Sequence, residues 1–242
     1  MRSRMRPIMI WCLAAILAIL GLTQLLLPPT LEGRVERAMR ERLSAAEYLH
    51  IDIQAWPALA SLTGRFQSIH MEVRDFVIDD LSVGAFLLQG RQVVLDPKAL
   101  YSTGQVMVTN AADLRLTVLL TEAGINQYLW EKVDPEKRLQ IALLPEGAVL
   151  KGNINFFGHK IDINLRGAFE IRDDTKITFV PEALAVEDIV VPQIILSALA
   201  EDKALLIDLT GLPVPLVIDE IRLEKGQLYA FGHYAKLDGE GR

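Results

Sequence analysis

The chain has 242 residues, 51% of them hydrophobic, and its 25 basic and 31 acidic side chains give a net charge of −6. This acidic balance disfavours a nucleic-acid-binding protein, which would present a basic surface. Cys12 is the only cysteine, so an intramolecular disulfide is excluded.

Residues 1–29 are predicted to be a basic N-terminus followed by a membrane anchor. Residues 8–27 carry no charge, and as a helix they would be about 30 Å long, the thickness of the hydrocarbon core. A cleaved signal peptide is the alternative, but its apolar region would be shorter and would end in small residues, whereas this run ends at Leu25-Leu26-Leu27-Pro28. The arginines before the run favour a cytoplasmic N-terminus, a single pass through the cell membrane and an extracytoplasmic domain. Signal cleavage would instead give a secreted protein.

The segment after the anchor is predicted to be one amphipathic helix followed by strands. Apolar residues at three- and four-residue spacing predict the helix over residues 31–48. Apolar and polar residues then alternate, which is the period of a half-buried strand. The predicted strands are residues 50–56, 65–74, 76–81, 105–109 and 114–120. Residues 84–95 are predicted to be a hairpin turning at Gln89-Gly90-Arg91, followed by a helical turn over residues 96–100.

The second half is predicted to contain a short helix and an antiparallel meander. Thr121 is a good N-cap and Glu122 suits the first turn of a helix over residues 121–130. Short turn sequences separate the apolar runs that follow, which predicts antiparallel neighbours. The predicted runs are residues 139–144, 148–156, 160–166, 168–171 and 176–179. A helix over residues 193–203, a strand over 205–209 and a hairpin of 216–223 with 227–232 complete a domain over residues 30–236, and the tail 237–242 is predicted to be disordered.

Two segments of this domain suggest an internal duplication. Residues 84–100 and 167–184 both begin Gly-Ala-Phe and both end in a proline followed two residues later by Ala-Leu. The predicted half-repeats are residues 34–120 and 121–191, with a C-terminal unit over residues 192–236. Chance similarity between two hairpins is the alternative explanation.

The sequence shows no catalytic or metal-binding motif. The four histidines are far apart in the sequence, and no P-loop, dinucleotide-binding fingerprint or nucleophile elbow is present. The pairs Asp79-Asp80 and Asp173-Asp174 fall at predicted turns, where carboxylates commonly cap the backbone. We therefore predict no enzyme activity, no cofactor and no metal site; a hydrolase ranks third among the functional hypotheses.

The apolar strand surface exceeds what three short helices would cover. A cleft lined by apolar walls would account for the excess and would suit acyl chains, although ordinary core packing remains the alternative for aromatic residues such as Phe156. The predicted wall residues lie on the predicted inner faces of strands and helices and are Phe66, Phe86, Leu129, Phe156 and Leu199.

Four segments resemble the LmeA-like phospholipid-binding family of bacterial envelope proteins. They are residues 93–97 (VVLDP), 120–129 (LTEAGINQYL), 207–213 (IDLTGLP) and 226–232 (GQLYAFG). The chain departs from the family pattern at Gly124-Ile125, where an acidic residue and leucine are typical. The resemblance implies a lipid-binding fold related to the tubular lipid-binding domains and a role in envelope lipid handling.

Together these observations predict an α+β fold of mostly antiparallel curved sheets with a few helices. The predicted function is that of a membrane-tethered, non-catalytic extracytoplasmic protein that binds phospholipid or another acyl-chain lipid precursor. The alternative is an interaction or scaffolding module, without a lipid ligand, that uses its sheet edges to recruit envelope enzymes. The predicted partners are therefore lipid and the cytoplasmic membrane, with envelope enzymes under the alternative and no nucleic acid.

Overall fold

The structure is a computed structural model that describes Gly33, Glu36 and residues 46–103, 107–156, 159–182, 205–212, 214 and 216–234. Most of these residues form two antiparallel β-sheets with few helices, so the predicted α+β, β-rich class is confirmed. Two α-helices are described, α1 (Pro97–Thr103) and α2 (Glu122–Lys132), together with a 3₁₀-helix (Ala58–Thr63).

The first sheet has seven strands and draws them from both ends of the described chain. Its strands are β1 (Tyr48–Gln54), β2 (Arg65–Ile78), β3 (Leu81–Leu95), β4 (Val108–Asn110), β5 (Asp113–Thr121), β11 (Leu216–Glu224) and β12 (Gln227–Tyr234). Their order is β1-β2-β3-β5-β12-β11, and β4 pairs with β3. The C-terminal hairpin therefore completes a sheet that the N-terminal strands begin, with Gln227 paired to Thr121 where β12 meets β5.

The second sheet is the predicted meander with one added strand. It contains β6 (Leu139–Leu144), β7 (Gly147–Phe156), β8 (His159–Asp173), β9 (Lys176–Pro181) and β10 (Leu206–Asp208), in the order β10-β9-β8-β7-β6. Successive side chains of β6 point to opposite faces of the sheet, as the period of a strand requires. Leu139, Ile141 and Leu143 share one face and are buried. The predicted meander is confirmed.

The chain forms two compact units. Among the described residues, unit 1 includes 50–71, 88–103 and 107–114, and unit 2 includes 46–49, 72–87 and the described residues after 114. The apolar core of unit 1 contains Ile51, Ile53, Phe66, Ile69, Met71, Leu88, Val93, Leu95 and Leu114. The larger core of unit 2 includes Val73, Phe76, Leu81, Phe86, Leu116, Leu120, Ile125, Ile141, Phe179 and Ile207.

Several predicted boundaries are wrong. The strands predicted separately over residues 65–74 and 76–81, and over 160–166 and 168–171, are joined, because β2 runs from Arg65 to Ile78 and β8 runs from His159 to Asp173. Residues 84–95 are not a hairpin, because β3 continues as one strand through Gln89-Gly90-Arg91. The predicted helix over residues 31–48 cannot extend to its last residue, since Tyr48 begins β1. Only β8 and β9 form a hairpin within the two proposed repeat segments, so this pairing gives no support to a duplication, which stays a prediction.

The predicted anchor at residues 8–27 and the predicted helix at residues 193–203 lie outside the described residues. Among the residues that are described, no helix has both the length and the apolar character that a bilayer crossing demands.

Candidate functional site

The predicted wall residues are distributed over both units. Phe66 lies on β2 in unit 1, whereas Phe86 on β3 and Leu129 on α2 lie in unit 2. Their exposed fractions are 3%, 0% and 3%, so neighbouring side chains must move before an acyl chain can contact them. Phe156 ends β7, but its side chain lies outside the described part of the structure, as does the whole of Leu199.

The carboxylate pairs lie at turns, as predicted. Asp79 and Asp80 connect β2 to β3 with φ values of 46° and 72°, which suit a two-residue hairpin turn. The carboxylate of Asp80 accepts a 2.7 Å hydrogen bond from Nζ of Lys132, and this bond raises the pKa of that lysine. In the part of the chain that is described, no three His, Cys, Asp or Glu side chains form a group able to hold a metal ion.

The first turn of α2 is tied to both sheets of unit 2. The Thr121 hydroxyl accepts a 3.1 Å hydrogen bond from the Gly124 amide, as expected for the predicted N-cap. The Glu122 amide donates to the Gly226 carbonyl in the turn between β11 and β12, at 2.9 Å. The Glu122 carboxylate accepts a 2.8 Å hydrogen bond from the Leu143 amide of β6. This turn therefore holds the C-terminal hairpin beside the edge of the second sheet.

The side chain of Asn126 binds the same edge one helical turn later. Its Oδ1 accepts from the Ile141 amide at 2.7 Å, and its Nδ2 donates to the Ile141 carbonyl at 2.8 Å. Nδ2 also donates to the Glu122 carbonyl within α2, at 2.9 Å. Asn126 is only 3% exposed. Its side-chain carboxamide makes the two hydrogen bonds to Ile141 that a neighbouring strand would make in the interior of a sheet.

The remaining backbone groups on this edge of β6 are also paired. Nε1 of Trp130 donates to the Leu139 carbonyl at 2.7 Å, and the Leu139 amide donates to Oδ2 of Asp134 at 2.6 Å. The Leu143 carbonyl accepts from the Gly226 amide at 3.1 Å. Residues 139, 141 and 143 thus have partners for every backbone amide and carbonyl on the side away from β7. An exposed sheet edge can recruit another strand, but this edge is closed to such pairing, which weakens the interaction-module hypothesis here.

A second side of α2 contacts β10. The Tyr128 hydroxyl donates to the Leu206 carbonyl at 3.2 Å, and burial raises the pKa of Tyr128. Burial opposes ionisation of Asp208 on β10, but hydrogen bonds from the Thr210 hydroxyl and amide outweigh it and lower the pKa of Asp208. Burial is the largest influence on both pKa values, and neighbouring charges also contribute, from Lys132 and Asp208 at Tyr128 and from Lys176 at Asp208.

Sequence reasoning placed Thr121 and Glu122 correctly but missed the role of Asn126, Trp130 and Asp134. A polar residue between the apolar residues Ile125 and Leu129 of the predicted helix was the available signal. Such a residue needs a buried partner, and the partner here is the edge of β6.

A family model described as LmeA-like phospholipid-binding matches residues 22–230, which is most of the chain. No curated protein and no solved structure matches it. The chain therefore belongs to the LmeA-like phospholipid-binding family, in agreement with the resemblance of its four sequence segments.

Proposed function

We propose that this LmeA-like protein is tethered to the outer side of the cytoplasmic membrane, where it binds phospholipid or a lipid-linked envelope precursor without chemical turnover. The family match over residues 22–230 carries this proposal. The tether rests on the uncharged run at residues 8–27 and the arginines that precede it.

The interior of unit 2 has the chemistry that an acyl chain requires. Its two sheets contribute the buried apolar side chains, whereas α2 contributes only Ile125 and Leu129 as large buried apolar residues. Burying each methylene of an acyl chain stabilises a complex by about 0.8 kcal/mol. Ten methylenes would therefore provide roughly 8 kcal/mol before the costs of association are subtracted. Binding of this strength needs no covalent chemistry.

The polar groups around α2 support a holding role for the helix. They bind the backbone of β6 and the turn at Gly226, and so they are already satisfied within the protein. We propose that α2 fixes the edge of the second sheet while apolar strand side chains receive the lipid. Phe86 and Leu129 are the proposed contact residues in unit 2, and Phe66 is the proposed contact residue in unit 1.

The experiment is photocrosslinking of the full chain with a phosphatidylglycerol that carries a photoreactive group near the end of one acyl chain. We expect crosslinked peptides from β3 and α2. Simple solvation of the predicted anchor would instead place the crosslinks in residues 8–27. Crosslinks confined to that run would overturn the proposal that the folded domain binds lipid.

A matched pair of variants tests the wall residues. Phe76 and Phe86 are 1% and 0% exposed, and both lie in unit 2, so Phe76→Leu and Phe86→Leu remove similar amounts of buried ring. We expect only Phe86→Leu to change the yield of crosslinked β3 and α2 peptides by severalfold. Equal changes in the two variants, with equal thermal stability, would remove Phe86 from the wall.

A further inference from the structure

Unit 1 presents large apolar side chains to solvent at one end. Trp56 is 74% exposed, Leu62 is 48% exposed and Met107 is 48% exposed. Trp56 precedes the 3₁₀-helix, Leu62 lies within it, and Met107 precedes β4. Removing these side chains from water would be favourable, so a surface that covered all three would gain affinity from them.

Backbone hydrogen bonds hold the segments that carry these residues together. The Leu95 amide donates to the Gly64 carbonyl at 2.8 Å, and the next amide, that of Asp96, donates to the Met107 carbonyl at 2.8 Å. Gly64 follows the 3₁₀-helix directly. The six residues of 3₁₀-helix extend about 12 Å, and the steps on either side of it add about 7 Å, so Trp56 lies within about 20 Å of Gly64.

The two segments that hydrogen-bond to Leu95 and Asp96 have a different balance of acidic and basic residues from the whole protein. The chain carries 31 acidic residues, yet residues 53–71 and 97–112 contain none, and their only Lys or Arg residues are Arg65 and Lys98, both exposed. Asp96 lies between the two segments, where its carboxylate accepts hydrogen bonds from the Lys98 and Ala99 amides at the start of α1, at 2.8 and 3.2 Å. We call Trp56, Leu62, Met107, Arg65 and Lys98 the unit 1 patch.

We propose that the unit 1 patch docks on the surface of a membrane that contains anionic phospholipid. The patch combines a tryptophan, which prefers the headgroup region of a bilayer, with aliphatic side chains and a local excess of basic charge in an acidic protein. Anionic headgroups attract lysine and arginine and repel carboxylates, which explains the absence of acidic residues from both segments. The inference rests on the proposed lipid-binding function and adds the surface through which the domain would meet its lipid source.

A protein partner is the competing occupant. Protein interfaces select Trp, Met and Arg as well and are poor in acidic residues, but they are also poor in lysine, whereas the unit 1 patch includes the exposed Lys98. The lipid surface accounts for both the apolar and the charge pattern, and membership of a phospholipid-binding family supports it.

The test measures how deeply Trp56 enters the bilayer. The full chain is reconstituted in phosphatidylcholine vesicles with or without phosphatidylglycerol, and fluorescence is quenched with lipids brominated on the acyl chain. The same measurement on Trp56→Phe isolates the contribution of Trp56 from those of Trp11 and Trp130. We expect Trp56 to be quenched in vesicles that contain phosphatidylglycerol and to be quenched less in phosphatidylcholine alone.

Matched variants separate docking from general effects of mutation. We expect Arg65→Gln and Lys98→Gln each to reduce the ratio of docked to undocked protein about fivefold, and Leu62→Ser with Met107→Ser to reduce it further. Lys151→Gln on β7 and Ile171→Ser on β8 alter an exposed basic and an exposed apolar side chain of unit 2. These two controls should leave quenching of Trp56 unchanged.

Lipid uptake from detergent micelles is measured on the same proteins, so the two proposals can fail separately. Absence of Trp56 quenching with normal uptake would overturn the docking proposal, point to a protein partner and leave the lipid-binding function standing. Quenching that depends on the patch but is accompanied by no acyl-chain crosslinking anywhere in the folded domain would support docking and overturn the proposed function.

Discussion

Asn126 shows how one side chain can finish a sheet. A β-sheet edge leaves every second residue with an unpaired amide and carbonyl, and Ile141 occupies such a position on β6. The carboxamide of Asn126 carries a donor and an acceptor, so it satisfies both groups of Ile141 from the adjacent helix. A carboxylate would lack the donor, and an apolar side chain would lack both.

We expect Asn126→Ala to lower the free energy of unfolding by about 2–6 kcal/mol. The substitution leaves the buried amide and carbonyl of Ile141 unsatisfied, and each such group costs about 1–3 kcal/mol. Denaturant unfolding of the full chain, monitored by circular dichroism, provides the measurement. The control is Gln127→Ala, which removes an exposed hydrogen bond to Glu131 and should change stability by less than about 0.5 kcal/mol. Similar losses in both variants would show that the edge contact contributes little.

Sequence rules worked at the single-residue level where the interaction is local. Thr121 was predicted to cap α2, and its hydroxyl does accept a hydrogen bond three residues along the chain. The contacts of Glu122 and Asn126 join residues 21 and 15 positions apart. Helix and strand preferences describe neighbouring residues and carry no information about partners so far apart in the sequence, so only the folded chain reveals them.

At the scale of elements, two glycines led to predicted strand breaks that are absent from the structure. Gly90 suggested a hairpin turn and Gly167 divided two predicted runs, but β3 and β8 continue through them. A Cβ on Gly90 would lie 2.5 Å from a methyl carbon of Leu114, and one on Gly167 would lie 2.6 Å from the ring of Phe179. Both glycines therefore make room for a side chain on a neighbouring segment. Composition alone cannot distinguish this use of glycine from a turn.

Gly124 plays a similar part between α2 and the start of β3. A Cβ at this position would lie 2.5 Å from the Ser82 carbonyl oxygen, so backbone rather than a flexible side chain occupies the space. The close approach leaves no space for a larger side chain at Gly124.

We expect Gly124→Ala to destabilise the protein by about 1–3 kcal/mol, the usual cost of overpacking. Helix propensity alone predicts the opposite sign, since Ala is favoured over Gly by about 1 kcal/mol. Ala123→Gly, at an exposed position of the same turn, should cost about 1 kcal/mol through propensity. Thermal melts of the two variants therefore separate packing from propensity, and stabilisation by Gly124→Ala would refute the close contact.

At the scale of the whole molecule, apolar alternation predicted the class and the meander but not the location of a ligand. Alternation shows which side of a strand is buried, and Phe66 and Phe86 are indeed buried. It does not show whether protein or lipid covers that side. The C-terminal hairpin was predicted correctly as a local unit, yet its place beside β5 depends on pairing across more than 100 residues of sequence.

The predicted tether determines where such a domain would work. We expect the full chain to remain with membranes after salt and alkaline washes, to be released by detergent, and to keep residues 1–29 in its intact mass. Leu17→Arg places a charge near the middle of the uncharged run, which costs about 2.5–3.5 kcal/mol of insertion free energy, and it should release part of the protein. Leu31→Arg, beyond the run, is the control. A mature N-terminus near Thr30 would replace the anchor with a cleaved signal peptide.

A single added thiol can report on which side of the membrane the domain lies. Cys12 is the only native cysteine, so Cys12→Ser with Gln54→Cys leaves one thiol at an exposed position of β1. The arginines before the run favour a cytoplasmic N-terminus, so we expect a membrane-impermeant maleimide to label this thiol in cells whose cytoplasmic membrane is intact. Labelling only after that membrane is permeabilised would place the domain in the cytoplasm, where it would meet the inner leaflet.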